Sequence, residues 1–137
     1  MIVLDASVIL KWILRDEAGA ADALVWRERH CSGLERVAVP DLLFYEVANG
    51  MLFSGRLSEQ DAAESWEALL AVELEVYAVW ADAMPRVLEV ARAGRTTAYD
   101  ASYAVLAEAL GCEFRTADRR LARKLEALDL GCAVRLL

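Results

Sequence analysis

Met1-Ile2-Val3-Leu4-Asp5-Ala6-Ser7 opens the chain with three apolar residues in a row, stopped by a carboxylate and followed by small residues. A short continuous apolar run reads as a strand buried on both faces, the kind a parallel sheet needs. The rest of the chain repeats the pattern of short strand and then helix. Ser7 to Leu14 and Glu17 to His30 read as helices. Val37-Ala38-Val39 is a second strand, stopped by Pro40. Asp41 is placed to cap a helix from Leu42 to Ser54 that ends at Gly55. Ser58-Glu59-Gln60-Asp61 has the form of a capping box and opens a helix to Leu70.

Leu74 to Val79 alternates as a third strand, and a helix is expected from Ala81 to Ala93 with Pro85 in its first turn. Thr97 to Leu110 is the most apolar helix, closed by Gly111. Phe114 to Thr116 is a fourth strand, Asp118 to Leu128 a further helix and Ala133 to Leu136 a last strand. Strands alternating with helices from end to end specify an α/β domain with a mainly parallel sheet covered on both faces. With 137 residues and no repeat, linker or low-complexity stretch, one domain over residues 1–137 is expected.

Composition narrows the function. Hydrophobic residues make up 58% of the chain, enough for a substantial core. No apolar run approaches the roughly 18 residues that span a membrane, and no basic segment precedes Ile2, so a cytoplasmic protein without membrane contact is expected. Cys31, Cys112 and Cys132 form no CxxC pair and are expected to be reduced, small core residues. His30 is the only histidine, which excludes a histidine-rich zinc site or a histidine triad. The net charge of −7 repels a polyanion. From Gly111 to Lys124, however, Arg115, Arg119, Arg120, Arg123 and Lys124 outnumber Glu113 and Asp118, making them candidates for RNA backbone contact.

Four acidic residues stand where apolar chain should be buried: Asp5, Glu46, Asp100 and Asp118. Asp5 and Asp118 each follow a strand, on the rim where sites form in open α/β sheets. Both also suit helix N-caps, and a cap can be a ligand as well. Asp100 lies near the start of its helix, where the helix dipole favours a negative charge, with Tyr103, Ala104 and Ala107 on the same face. Glu46 sits inside a helix between Leu42, Leu43, Phe44, Tyr45 and Val47, with Asn49 its expected polar companion; a surface position is the alternative. Carboxylates that converge repel one another and raise one another's pKa values, a penalty that a divalent cation reverses. With only oxygen ligands at hand, Mg2+ or Mn2+ is the expected ion. Ser7 and Thr116, short hydroxyls beside Asp5 and Asp118, suit supporting roles.

These residues also carry a family resemblance. Ile2-Val3-Leu4-Asp5-Ala6-Ser7, Pro40-Asp41-Leu42 with Tyr45-Glu46-Val47-Ala48-Asn49, Thr97-Ala98-Tyr99-Asp100-Ala101 and Thr116-Ala117-Asp118-Arg119-Arg120-Leu121 follow in order, their acids 41, 54 and 18 residues apart. Over essentially its whole length the chain resembles PIN-domain ribonucleases, and most closely the VapC toxins of bacterial VapBC toxin–antitoxin systems. The resemblance implies a three-layer α/β/α sandwich and metal-dependent endonucleolytic cleavage of RNA by metal-activated water. It implies Asp5 and Asp100 as direct ligands of Mg2+ or Mn2+, Glu46 as ligand or water-orienting group, and Asp118 as a ligand, directly or through water. It further implies a homodimer and a cognate VapB antitoxin. Some relatives carry another acid shortly after the position of Asp118; Arg119 to Leu125 contains none, so a four-acid site is expected.

Other readings fit less well. A haloacid-dehalogenase-like phosphatase needs a second acid where Ser7 stands, and a response regulator needs a late lysine directly after a strand. A catalytically silent PIN-like module that only binds RNA or protein is opposed by acids at all four positions. A PIN nuclease of RNA maturation without an antitoxin is the alternative within the enzyme class.

Overall fold

Ile2–Leu4 forms strand β1, buried at all three residues, and it lies at the centre of the sheet. The computed structural model describes residues 1–78 and 81–137. On one side of β1 runs β2 (Val37–Pro40) and beyond it β3 (Glu75–Tyr77); on the other side run β4 (Glu113–Thr116) and β5 (Val134–Leu136). The order is β3-β2-β1-β4-β5 and every pairing is parallel, with Val3 opposite Ala38 on one side and Phe114 on the other. Val3, Leu4, Val37, Val39 and Phe114 have no exposed surface, as expected of strands covered on both faces.

The connections set the layers. Helices α1 (Ala6–Ile13), α2 (Ala20–Cys31), α3 (Leu43–Ser54) and α4 (Glu59–Leu70) lie in the crossovers that step outward from β1 to β3. Helices α5 (Met84–Gly94), α6 (Ala98–Leu110) and α7 (Arg119–Glu126) lie in those that return across the sheet and step outward to β5. Right-handed crossovers therefore place the two groups on opposite faces, a three-layer α/β/α sandwich. The packing agrees: α1 touches α2 and α3, α5 packs on α6, and α6 lies over β1, β2 and β4. Gly50 permits the close contact of α3 with α1, because a Cβ there would stand 2.5 Å from the Leu10 side chain.

Local chemistry explains most boundaries. Ser58 with Asp61 and Thr97 with Asp100 close complete capping boxes on α4 and α6, while Gly55 and Gly111 end α3 and α6 in the left-handed conformation. Four expectations need correction. The third strand is shorter than residues 74–79, covering Glu75–Tyr77; Val79 lies outside the described residues. The helix expected from Ala81 begins as a 3-10 turn, Ala81–Ala83, and becomes α-helical at Met84, which leaves Pro85 in the first turn where no N–H is needed. The N-cap of α3 is Leu42, with no side-chain capping bond, in place of Asp41. Cys31 is exposed near the end of α2, and Cys112 and Cys132 are only half-buried, so the cysteines are free thiols outside the deepest core. No helix among the described residues is long and apolar enough to cross a membrane.

The sheet order reverses between β1 and β4. Chain leaving β1 turns one way and chain leaving β4 the other, which opens a crevice at their carboxyl ends. Asp5 and Asp118 follow those two ends.

Candidate active site

Asp5 is the N-cap of α1 and is only 5% exposed. Its Oδ1 accepts hydrogen bonds from the Ser7 hydroxyl at 2.6 Å and the Val8 amide at 3.2 Å. Burial pushes its pKa up to about 6, with the Asp100 charge adding to the shift, although hydrogen bonds from Ser7, Thr116 and Val8 pull the other way. Ser7 ties this carboxylate to the neighbouring strand. Its hydroxyl oxygen accepts the Ala117 amide at 2.8 Å and lies 3.3 Å from Thr116 Oγ1. Thr116, at the end of β4, is fully buried and accepts the Asp118 amide at 2.9 Å. Ser7 and Thr116 thus tie the ends of β1 and β4 together beneath the crevice.

Glu46 lies in the first turn of α3 and is half-buried. Its Oε2 accepts a 2.6 Å hydrogen bond from the Tyr103 hydroxyl of α6. Burial raises the Glu46 pKa, and the charges of Asp100 and Asp5 raise it further against the pull of that hydrogen bond. Tyr103 is buried and stacks on Phe114 of β4, with ring centroids 6.2 Å apart. Burial and the Glu46 charge hold its phenol far above the ordinary range, so it remains a donor. The sequence places Tyr103 only on the face of Asp100, and this role goes unread there. A signal exists, since a tyrosine inside an apolar helix must find a partner for its hydroxyl. Asn49, the expected companion of Glu46, is exposed and lines a cavity beside it; the carboxylate's hydrogen bond goes to Tyr103.

Asp100 occupies the third position of α6. Its Oδ2 accepts from the hydroxyls of Thr96 at 2.6 Å and Thr97 at 2.8 Å, and from the Thr97 amide at 3.4 Å. Among the described residues all of its side-chain hydrogen bonds fall on Oδ2, which leaves Oδ1 for a ligand. Asp118 is exposed and caps α7, its Oδ1 accepting the amides of Arg120 at 2.7 Å and Leu121 at 3.1 Å. Its backbone amide, through Thr116, links it to the Asp5 end of the site.

Asp5, Glu46 and Asp100 therefore act on one another electrostatically, and Asp118 stands at the rim. Four carboxylates within a few ångströms, as expected from the sequence, are not found in this conformation. Among the described residues no three acidic, histidine or cysteine side chains are close enough to hold one ion as they stand. Asp100 and Asp118 each serve a helix N-terminus, and Glu46 is held by Tyr103. The donor set nonetheless fits a hard divalent cation. It is all oxygen, it includes an acid buried against its own charge, and its members raise one another's pKa values.

The basic candidates divide. Arg115 bonds to Glu113 on its own strand and lies 4.6 Å from the centre of the Trp26 ring, so its guanidinium is already engaged. Lys124 donates to the Arg95 carbonyl at 2.7 Å. Arg119, Arg120 and Arg123 are exposed along α7, beside Asp118.

The chain is similar to several known proteins. Residues 2–126 match the PIN domain family. Ribonuclease VapC9 of Mycobacterium tuberculosis is 35% identical over 130 residues, covering 88% of each chain. Ribonuclease VapC3 of Pyrobaculum aerophilum is 35% identical over 135 residues, covering 93% of this chain and 96% of the relative. The crystal structure of PAE2754 from Pyrobaculum aerophilum superposes with a TM-score of 0.70 at 26% identity, covering 97% of this chain and 82% of that one. That of VapC20 from Mycobacterium tuberculosis, a sarcin-ricin loop cleaving toxin, gives a TM-score of 0.64 at 16% identity, covering 85% and 88%, a likeness of fold alone. The chain belongs to the PIN-domain family and, within it, to the VapC ribonucleases.

Proposed function

We propose that residues 1–137 form one PIN domain that acts as the toxin of a type II toxin–antitoxin system, an endoribonuclease that hydrolyses RNA phosphodiester bonds. The observation that carries this reading is the buried Asp5 carboxylate at the switch point of a parallel sheet, raised in pKa and facing the charges of Asp100 and Glu46. Such an arrangement disfavours folding and is explained by a cationic ligand. Asp5 and Asp100 would hold Mg2+ or Mn2+, with Asp118 contributing from the rim and Glu46 directed at the attacking water. A cation held there would offset the acids' charge and supply Lewis-acid polarisation of the phosphodiester.

The protein's own groups divide the remaining work. Ser7 and Thr116 keep Asp5 oriented, and Thr96 and Thr97 hold Asp100 by one oxygen. Tyr103 fixes Glu46 through Oε2, so Oε1 is the atom that takes a proton from the attacking water. The raised pKa makes Glu46 a better proton acceptor than an exposed carboxylate. Arg119, Arg120 and Arg123 contact the RNA backbone. A cognate VapB antitoxin, a homodimeric assembly and a cytoplasmic setting complete the proposal.

The test is cleavage of a mixed RNA by the purified protein with Mg2+ or Mn2+. Asp5→Asn and Asp100→Asn are expected to abolish cleavage while circular dichroism stays unchanged. Undiminished cleavage by both variants would overturn the site.

A further inference from the structure

Two aromatic side chains stand beside the acids in open solvent. Tyr45 immediately precedes Glu46 on α3 and is 80% exposed; Tyr99 immediately precedes Asp100 on α6 and is 65% exposed. Both line one cavity of about 630 Å3, whose wall is completed by Leu42, Glu46 and Asn49. That volume lies within the range of small-molecule subsites, about 300–1,000 Å3. Tyrosine rings so exposed contribute little to the core of this fold.

The lining is informative by what it combines. None of its five residues is basic, so it is not built for a phosphate. It offers two aromatic rings, an apolar side chain and an amide that both donates and accepts, a set that suits a flat heteroaromatic ring with polar edges. Glu46 belongs to both this wall and the acidic site, so a base held here would sit next to a phosphodiester at the acids. Resting on the ribonuclease reading above, we propose that Tyr45 and Tyr99 are substrate-positioning residues that stack an unpaired base of single-stranded RNA in this cavity. A base in a duplex is already stacked between its neighbours and is excluded.

The test uses the intact protein without divalent cation and a short unstructured RNA carrying fluorescent aminopurine. Wild-type protein quenches the fluorescence on binding, and the same oligonucleotide in a duplex is not quenched. Tyr45→Ala and Tyr99→Ala each weaken binding by about 5- to 100-fold, the range of one lost base stack, and lose the quench. Tyr45→Phe and Tyr99→Phe retain both, because the ring face is unchanged. With Mg2+ or Mn2+, the alanine variants raise KM more than they lower kcat. If wild-type protein cleaves no RNA, the nuclease reading falls. If it cleaves and the alanine variants match it in Kd, quench and KM, the stacking proposal alone is overturned. Equal losses in the Phe and Ala variants, or a changed oligomeric state in place of changed RNA affinity, would overturn it too.

Discussion

Asp5 puts a price on the site that can be measured in the free protein. Its pKa rises from 3.8 to about 6 on folding, so between those values the folded state keeps a proton that the unfolded state releases. Its contribution to stability is therefore greatest below about pH 4, declines as pH rises through 6, and stays low above. Asparagine keeps the oxygen that accepts from Ser7 and Val8 and carries no charge. Asp5→Asn is expected to stabilise the metal-free protein by roughly 1–3 kcal/mol near neutral pH and by almost nothing at about pH 4. Denaturant titrations of both proteins at the two pH values would check this, and equal stabilities throughout would contradict a buried charge. Tyr103→Phe tests the other half of the pair. Losing the hydroxyl removes the hydrogen bond that, among the described residues, pulls the Glu46 pKa down, so the acidic limb of the cleavage pH profile moves to higher pH. A profile that falls in height without moving would mean that Glu46 carries no proton in the reaction.

Helix starts do two jobs in this chain, and the two capping boxes separate them. The Ser58–Asp61 box begins α4, while the Thr97–Asp100 box begins α6 and also holds a site acid. Ser58→Ala and Thr97→Ala should each lower stability by about 1 kcal/mol, the usual effect of a lost N-cap. Only Thr97→Ala is expected to reduce cleavage as well, because Asp100 Oδ2 loses a hydroxyl partner. Similar activities in the two variants would argue against Asp100 as a ligand held in place by its own helix start. The Ser58–Asp61 box makes α4 legible in the amino-acid sequence, and an apolar run closed by Gly111 makes α6 so. Ser58 with Asp61 needs only its own turn, as does a glycine such as Gly111 that ends a helix. The start of α3 is not legible in that way. Asp41 has the form of a cap, and whether it serves as one depends on how the chain leaves β2, which no local pattern states. The short β3 is a similar case, since an edge strand ends where its single neighbour ends.

At the scale of the molecule, charge and metal are linked. A cation that binds the folded state and not the unfolded chain raises Tm by mass action. Millimolar Mg2+ or Mn2+ should therefore raise the Tm of wild-type protein by several degrees, and the Asp5→Asn, Asp100→Asn double variant should not respond. A Tm independent of both ions would leave the acids unexplained. The net charge of −7 opposes RNA as a whole, and the exposed arginines of α7 oppose that trend locally. Replacing Arg119, Arg120 or Arg123 with alanine should weaken binding of all RNA sequences alike and reduce the slope of log affinity against log salt by about 1 each. Arg115→Ala should leave the slope unchanged, because that guanidinium already lies on Trp26 and Glu113.

The amino-acid sequence alone determined what depends on neighbours along the chain: short apolar runs, caps, glycine stops, the alternation of strand and helix, and the four acids in their order. Their chemistry as all-oxygen donors was also plain, since the single histidine and the three cysteines form no ligand pattern with them. Tertiary structure alone decided which residues meet. Ser7 reaches Thr116 and Ala117 only because β1 and β4 are adjacent, and Glu46 takes its proton donor from Tyr103 only because α3 and α6 approach from different parts of the chain. It also turned Asp118 into the cap of α7, while Asp5, Glu46 and Asp100 feel one another's charge. Both outcomes follow from one cause: hydrogen bonds and repulsion fall off within ångströms, and distances of that order between remote segments are set by strand order and packing.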